Sequence, residues 1–585
     1  MRYLIVAFAS LFLLTACSQQ EFTLTVLHNN DAESQLINLG EGELQNYGGV
    51  AHFKSLADTV KAWADGHTDG WIMLTSGDNF LAGPEWNASI EKGVFYDALA
   101  IDRLGYHALC LGNHDFDSGP ATLAVFIDAT GEVSHPWFIS CNLDFQNEPE
   151  MQALVGTKLA QSKAFDINGT TVGVIGVTTP NLNFVSATGR TIVQSDVLTE
   201  VSAEVDALTR QGAKVIILVS HLQGIEEDMA LIHQLSGVDI VIAGGGDELL
   251  ATVPDDALIP GDESERYGDY PMYATDTDGH SVPVVTTRGN FGYLGVLVAT
   301  FDGHGKLLHV DDVASGPRVV ANTKVEGGVP PNQRMLNEVV TPVRAYVDDL
   351  DDNIIASSTV KLDGIRNHVR GQEANAGNLI ADALLWNAKR LHAQFNAPEP
   401  EVAIQNGGGI RNDSYIPAGA ISELTTFNML PFGNQLCVVH DLTPQEVKDM
   451  LENAVSAANG GAGTGRFAQV AGLRFDYDMS RSEQVYAEDN TIAMPGERIR
   501  NVWLDDGTVM VKDGVVNEDA PHIDIACGDF LARGGDQYPL FHKQRTLLGV
   551  SDQQALAAYL RHIGKVTAKD YPLSGEGRSR AVSSR

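Results

Sequence analysis

Five short β-branched or apolar runs, at residues 22–27, 71–74, 171–177, 215–219 and 239–243, alternate with stretches of helical spacing, and most lead straight into a polar cluster. Continuous apolar runs of this length are the pattern of strands buried on both faces. Between them, Leu198, Val201, Val205 and Leu208 recur at intervals of three and four, which lines one face of a helix. Strand and helix taking turns predicts an α/β fold for this half of the chain. Asp31 follows the first run, Asp78 the second, His221 the fourth, and residues 244–248 the fifth. The reactive side chains therefore fall at the carboxyl ends of strands, where open α/β sheets bind their ligands.

A chain of 585 residues is too long for one hydrophobic core, so two large domains are expected. The run Gly327-Gly328-Val329-Pro330-Pro331-Asn332 breaks the alternation and reads as a boundary turn. Beyond it, Leu336, Val339, Val340 and Val343 share one face of a linking helix over residues 335–351. A second domain starts near Ile354, and residues 373–392 are its clearest helix. The expected division is 22–330, a linker or hinge at 331–353, a second domain at 354–572 and a tail at 573–585. No internal repeat is visible.

Residues 1–17 look like a processing segment: Arg2 is followed by an apolar run at 3–14, shorter than the ~20 residues that span a bilayer. Leu14-Thr15-Ala16-Cys17 resembles a bacterial lipobox, which implies cleavage before Cys17 and lipidation of its thiol. Ser18 after that cysteine points to the outer membrane, so an exported protein held in the bacterial envelope and facing the periplasm is expected. An ordinary signal peptide that happens to contain a cysteine stays open. No other stretch reaches membrane-spanning length, so the membrane is expected as a partner through the lipid anchor only. The net charge of -37 argues against a nucleic-acid polymer as partner, and it would also repel a phosphate ester. An enzyme of this composition must gather positive charge locally, with metal ions and a few arginines. Cys110, Cys141, Cys437 and Cys527 show no CxxC spacing, and apolar neighbours favour buried free thiols over one disulfide in each domain.

Five segments carry the chemistry of the first domain: residues 27–33 (LHNNDAE), 76–79 (SGDN), 112–117 (GNHDFD), 220–222 (SHL) and 244–248 (GGGDE). In this order they resemble the calcineurin-like metallophosphoesterases, a four-layer αββα fold whose loops bind two metals. The resemblance implies that Asp78 bridges the ions, with Asp31 and Glu33 on the first and Asn113 and His221 on the second. It implies that His114 faces the leaving group and that Asp117, three residues on, orients its ring. Two departures stand out. Glu33 occupies the place of a family histidine, and Gly246-Asp247-Glu248 replaces a Gly-His-x-His block, leaving Asp247 and Glu248 as substitute ligands. Oxygen donors in place of imidazoles favour Mn²⁺, Mg²⁺ or Ca²⁺ over Zn²⁺.

In the second domain, residues 370–383, 405–411, 430–434 and 530–538 resemble the C-terminal domain of bacterial 5'-nucleotidases and UDP-sugar hydrolases, a separate mixed α/β unit. Arg370 and Arg411 offer planar, permanently charged forks for a phosphate. Glycines 407–409, with Gly408 at their centre, let backbone amides approach an anion. By resemblance, Phe432 and Phe530 sandwich a nucleobase, Asn406 and Asp536 contact ribose or phosphate, and Asn434 meets the base edge. The family is also expected to swing its second domain about the linker. The resulting expectation is a hydrolase of phosphomonoesters, foremost nucleoside 5'-monophosphates, acting outside the cytoplasm on a nucleotide or other small phosphate ester. A broader alkaline phosphatase, a 2',3'-cyclic-nucleotide or nucleotide-sugar phosphodiesterase, and a non-catalytic nucleotide-binding lipoprotein remain alternatives. No protein partner can be inferred.

Overall fold

The computed structural model describes residues 21–246, 248–457, 465–487 and 491–582; Cys17 and Asp247 lie outside the described residues. The strand Phe22–Asn29 organises the first domain. It pairs in parallel with Gly70–Thr75 and antiparallel with Tyr293–Phe301. From Gly70–Thr75 the same sheet continues through Ala108–Cys110 and Trp137–Ile139 to Leu159–Ala160. A second sheet runs in the order Met272–Thr275, Ser281–Val285, Ile240–Ile242, Val215–His221, Thr170–Thr178 and Ser162–Ile167. All five strands expected from the sequence are present.

The two sheets pack face to face: Leu24, Val26, Ile72 and Leu74 of one share a core with Val174, Ile217 and Val219 of the other. On the outer face of the first sheet, Met73 and Leu109 meet Phe53 of helix Val50–His67, Ile101 of Tyr96–Leu104 and Phe126 of Gly119–Asp128. Val201, Val205 and Leu208 of helix Val197–Arg210 cover the second sheet, so the layers run helix, sheet, sheet, helix. Asp196 caps that helix by accepting from Thr199 N. Side chains sandwiched this way are close-packed, and truncating one such as Ile217 to alanine would cost about 2–5 kcal/mol.

The linking helix extends over Gln333–Met335, Leu336–Val340 and Thr341–Asp352, with a π-helical turn in the middle segment. Pro342 supplies the reason: it lacks an N–H, and its ring conflicts with the carbonyl four residues back, so the preceding turn widens. Asn332 caps the start by accepting from Met335 N. The expected apolar face is real, but it is buried in the first domain: Met335, Val339, Val340 and Val343 belong to the core beneath the first sheet. The other end is tied to the second domain by Ser422 Oγ donating to Asp351 Oδ1 and Asn353 Nδ2 donating to Glu423 Oε2.

The second domain is built on a mixed sheet ordered Ala468–Ala471, Val402–Asn406, Ile523–Gly528, Gln435–Leu442 and Arg545–Ser551. Helices Asn375–Leu391 and Asp552–Ile563 pack in one core and Pro444–Ser456 in another. Residues expected as a tail from 573 onward instead continue this domain. Ser579–Ala581 pairs with Leu473–Tyr477, held there because Arg578 makes a bidentate bond to Asp382 and donates to the Val470 carbonyl. The four cysteines within the described residues are free and buried. Among the described residues, no helix is long and apolar enough to cross a membrane.

Candidate metal centre and substrate cavity

The first two strands of the sheet end in backbone turns that non-glycine residues seldom adopt. Asp31, Glu33 and Asp78 all have φ near 48°, in the left-handed region. The two loops are stitched together by Asp31 N donating to the Gly77 carbonyl and Glu33 N to the Asp78 carbonyl. Glycine is required where they cross. A Cβ at Gly77 would lie 2.5 Å from His221 Nδ1, and one at Gly112 would lie 2.1 Å from Asp78 Oδ1.

Within this frame the ligand-type side chains form two groups sharing Asp78: Asp31, Asp78 and His221, and Glu33, Asp78 and His114. In each, the ligand atoms lie within 4.8 Å of one another. His221 Nδ1 donates to the Ser76 carbonyl at 2.7 Å, which directs Nε2 at Asp78 Oδ2, 3.2 Å away, and Asn113 Oδ1, 3.1 Å away. Burial alone would hold this imidazole neutral, but Asp78 and Asp31 outweigh it and bring it up to about 10. Burial also pushes Asp31 up to about 7, Asp78 adding to the rise against the opposing pull of His221. For Asp78 itself, burial is overcome by His221 and His114, which hold it below the ordinary carboxyl value. A ring nitrogen, an amide oxygen and two carboxylates converging in a pocket with surplus negative charge fit a divalent cation.

His114 sits beside this centre. Its backbone N–H donates to Asp78 Oδ1, and its Nδ1 donates to Asp117 Oδ2 at 2.7 Å. Asp117 is fixed in turn by the Ser186 hydroxyl. Burial works against charge on the ring, yet Asp117 and Asp78 raise it to about 10.

The expected residues do not all gather. Glu248 is in neither group: its Oε1 accepts from Ile225 N, at the start of helix Ile225–Ile232. Gly246 leaves room for that carboxylate, since a Cβ there would stand 2.0 Å from Glu248 Oε2. Three contributors went unassigned in the sequence. Gln223 Nε2 donates to Asn113 Oδ1 at 2.6 Å. Asp115 accepts from Gly112 N, Asn79 N and Asn79 Nδ2, tying two metal-side loops together. Arg366 joins the cavity wall. Asp115 stands inside the 112–117 segment, so its motif was the available signal; Gln223 and Arg366 had only their proximity to His221 and Arg370.

A cavity of about 770 Å³ opens between the domains. The first domain contributes Asn113, His114 and Asp117, and the second Arg370, Asn406, Gly408, Arg411, Phe432, Asn434, Phe530 and Asp536. Arg370 is nearly buried, its Nε has no partner, and burial with the nearby Arg366 and Arg411 pulls its guanidinium down to about 10. Clustered guanidiniums in such a state are relieved by an anion. Asn406 Nδ2 donates to Asp536 Oδ2 at 2.6 Å, and Arg411 lies over the Phe432 ring at 5.2 Å. Gly408 passes so close to Gly465 that a Cβ would meet its Cα at 2.7 Å. Asn434 lines the cavity while its amide also reaches Asp552 Oδ2 at 3.4 Å. Phe530 packs flat over Gly535, where a Cβ would fall 2.5 Å from the ring.

Comparison with known proteins gives the same picture. Residues 354–543 match the family described as 5'-nucleotidase, C-terminal domain. The chain is 30% identical to the 5'-nucleotidase of Bos taurus over 543 residues, covering 91% of this chain and 86% of that protein. It is 27% identical to protein 5NUC of Lutzomyia longipalpis, over 96% of this chain and 95% of that one. The crystal structure of a 5'-nucleotidase precursor from Thermus thermophilus superposes with a TM-score of 0.71 at 30% identity, covering 96% of this chain and all of that one. With its two domains, carboxylate-rich metal pocket and arginine-lined cavity, and with this similarity over nearly its whole length, the chain belongs to the 5'-nucleotidase family of metal-dependent phosphoester hydrolases.

Proposed function

We propose that this chain hydrolyses nucleoside 5'-monophosphates, using two divalent ions held by Asp31, Glu33, Asp78, Asn113 and His221. The observation that carries this reading is that one cavity holds both His114 of the first domain and the Arg370, Arg411 and Phe432 set of the second. When bound, such ions supply an activated water and neutralise charge on the phosphoryl group. Arg370 and Arg411, on the cavity wall, clamp the phosphate with permanently charged forks. Phe432 and Phe530 provide apolar faces for the base, and the Asn406–Asp536 pair offers an acceptor and a donor to the ribose. His114, kept protonated and oriented by Asp117, donates a proton to the departing ribose oxygen. The linking helix is anchored in the first domain, so a domain rotation would pivot near Asn353, where the bonds pass to the second.

Export and a lipid anchor at Cys17 belong to the same proposal and rest on residues 1–17 of the sequence. Labelling with a radioactive fatty acid in a bacterial host, compared with Cys17→Ala, tests the anchor.

The activity is tested by phosphate release from AMP, a 2',3'-cyclic nucleotide and p-nitrophenyl phosphate. The protein is stripped with a chelator and reloaded separately with Mn²⁺, Mg²⁺, Ca²⁺ or Zn²⁺. Turnover of AMP that vanishes on stripping and returns with metal is expected. Release from the cyclic nucleotide but not from AMP would overturn the monophosphate reading, and no release with any metal would make the chain a binder.

A further inference from the structure

Arg533 is a guanidinium on the cavity wall that the phosphate clamp of Arg370 and Arg411 does not use. It caps the short helix Asp529–Ala532, three residues after Phe530. It shares the wall with Phe432, Asn434, Gln435 and Asp529, the residues around the aromatic platform. Arg366 and Arg411 are the arginines whose charge bears most on Arg370.

Its neighbours fix where it can act. Arg533 Nε donates to the Asp529 carbonyl at 3.3 Å, and Nη2 lies 3.5 Å from Asp529 Oδ2. Asp529 is itself held, because its Oδ1 accepts from Gln435 N at 2.7 Å. The guanidinium is thus folded back along the helix that carries Phe530, tethered on one side to Asp529, while the residue lines the cavity. It is about one quarter exposed, open to a ligand yet sheltered from full hydration.

Guanidinium groups are donors only. A base stacked beside Phe530 meets them well if it presents acceptors and poorly if it presents an amino group. The fork matches O6 and N7 of a purine, two acceptors on one edge that a guanidinium can bond together. Adenine offers N7 but turns an amino group toward the donor.

Building on the nucleotidase reading, we propose that Arg533, positioned by Asp529, reads the base edge and makes 6-oxopurine 5'-monophosphates the preferred substrates. The class is defined by the keto oxygen at position 6 together with N7, as in IMP and GMP.

The test compares kcat/KM for IMP, GMP, AMP and UMP in the metal-loaded full chain, in Arg533→Ala and in Arg533→Gln. IMP and AMP differ only in the group at position 6 and the adjoining ring proton, so their ratio isolates the contact. An IMP preference of about tenfold is expected in the wild type, falling toward one in Arg533→Ala. Arg533→Gln, whose amide both donates and accepts, should bring the two substrates close together with the side-chain volume largely kept. UMP, with a keto oxygen but no N7, should fall between. Equal turnover of IMP and AMP by the wild type would overturn the proposal while leaving the nucleotidase reading intact, as would a ratio unchanged in folded variants. Failure to hydrolyse any of the four would instead sink the nucleotidase reading.

Discussion

The imidazole of His114 lies nearly parallel to the ring of Phe432, with planes 10° apart and centroids separated by 5.9 Å. Rings at this offset attract. The contact joins the first domain to the second across the cavity, and Arg411 also lies over Phe432. Phe432 is therefore placed to sense both the reacting end of a substrate and its base.

Phe432→Ala should raise KM for nucleoside monophosphates by about tenfold or more, since a base stacked on an aromatic ring gains ~1–3 kcal/mol. p-Nitrophenyl phosphate should be less affected, because it gives up less on losing that face. Steady-state kinetics with both substrates checks this; an equal loss for both would mean that Phe432 acts only through His114.

His114→Ala should lower kcat for AMP by a factor on the order of 10²–10⁴, the range for a positioned proton donor. p-Nitrophenolate leaves without protonation, so the loss on its ester should be much smaller. Asp117→Asn keeps the size but removes the charge that sustains the imidazolium, and it should reproduce part of the same pattern.

Asp115→Ala strips the acceptor from Gly112 N, Asn79 N and Asn79 Nδ2 at one stroke. Buried donors without a partner cost about 1–3 kcal/mol each, so a loss of roughly 3 kcal/mol or more is expected in denaturant unfolding. Metal affinity should weaken about 10–100-fold, as is usual when a residue behind the ligands is removed. Titration calorimetry with the stripped protein measures it.

Much of this site was legible in the sequence, for a physical reason. Asp31 and Asp78 follow neighbouring strands of the first sheet and His221 ends a strand of the second, and strand ends at the same end of two packed sheets converge however the intervening loops are built. Glu248 shows the limit of that logic: the nearby helix start at Ile225 captures its carboxylate, and no spacing rule reveals such a competitor. The stacking of His114 on Phe432 was equally hidden, because it depends on how two separately folded units meet. The linking helix was visible from Val339, Val340 and Val343, but periodicity cannot say which domain covers an apolar face.

Glu85 gives a pH prediction. It is half-buried, with Oε2 accepting from Leu36 N and Ile37 N on the loop that carries Glu33. Burial, with Asp97 adding to it against those hydrogen bonds, pushes its carboxyl from the ordinary 4.5 up to about 8. A raised carboxyl binds its proton more tightly in the folded state. Its contribution to stability is therefore whole at low pH and declines as pH climbs from about 4.5 through about 8. Glu85→Gln, whose amide oxygen can still accept from the loop, cannot ionise. Its melting temperature should gain on the wild type as pH is raised from 5 to 9, and parallel melting curves across that range would refute the assignment.

The anchoring of the linking helix also bears on how the protein can be divided. A cut at residue 330 would strip Met335, Val339, Val340 and Val343 from beneath the first sheet and bare an apolar trough, inviting aggregation of the shortened fragment. Ending instead after Asp352 leaves that trough filled and gives up only contacts made between the domains, such as the Asp351–Ser422 bond and the His114–Phe432 stack, making it the better terminus for expressing the metal-binding half alone.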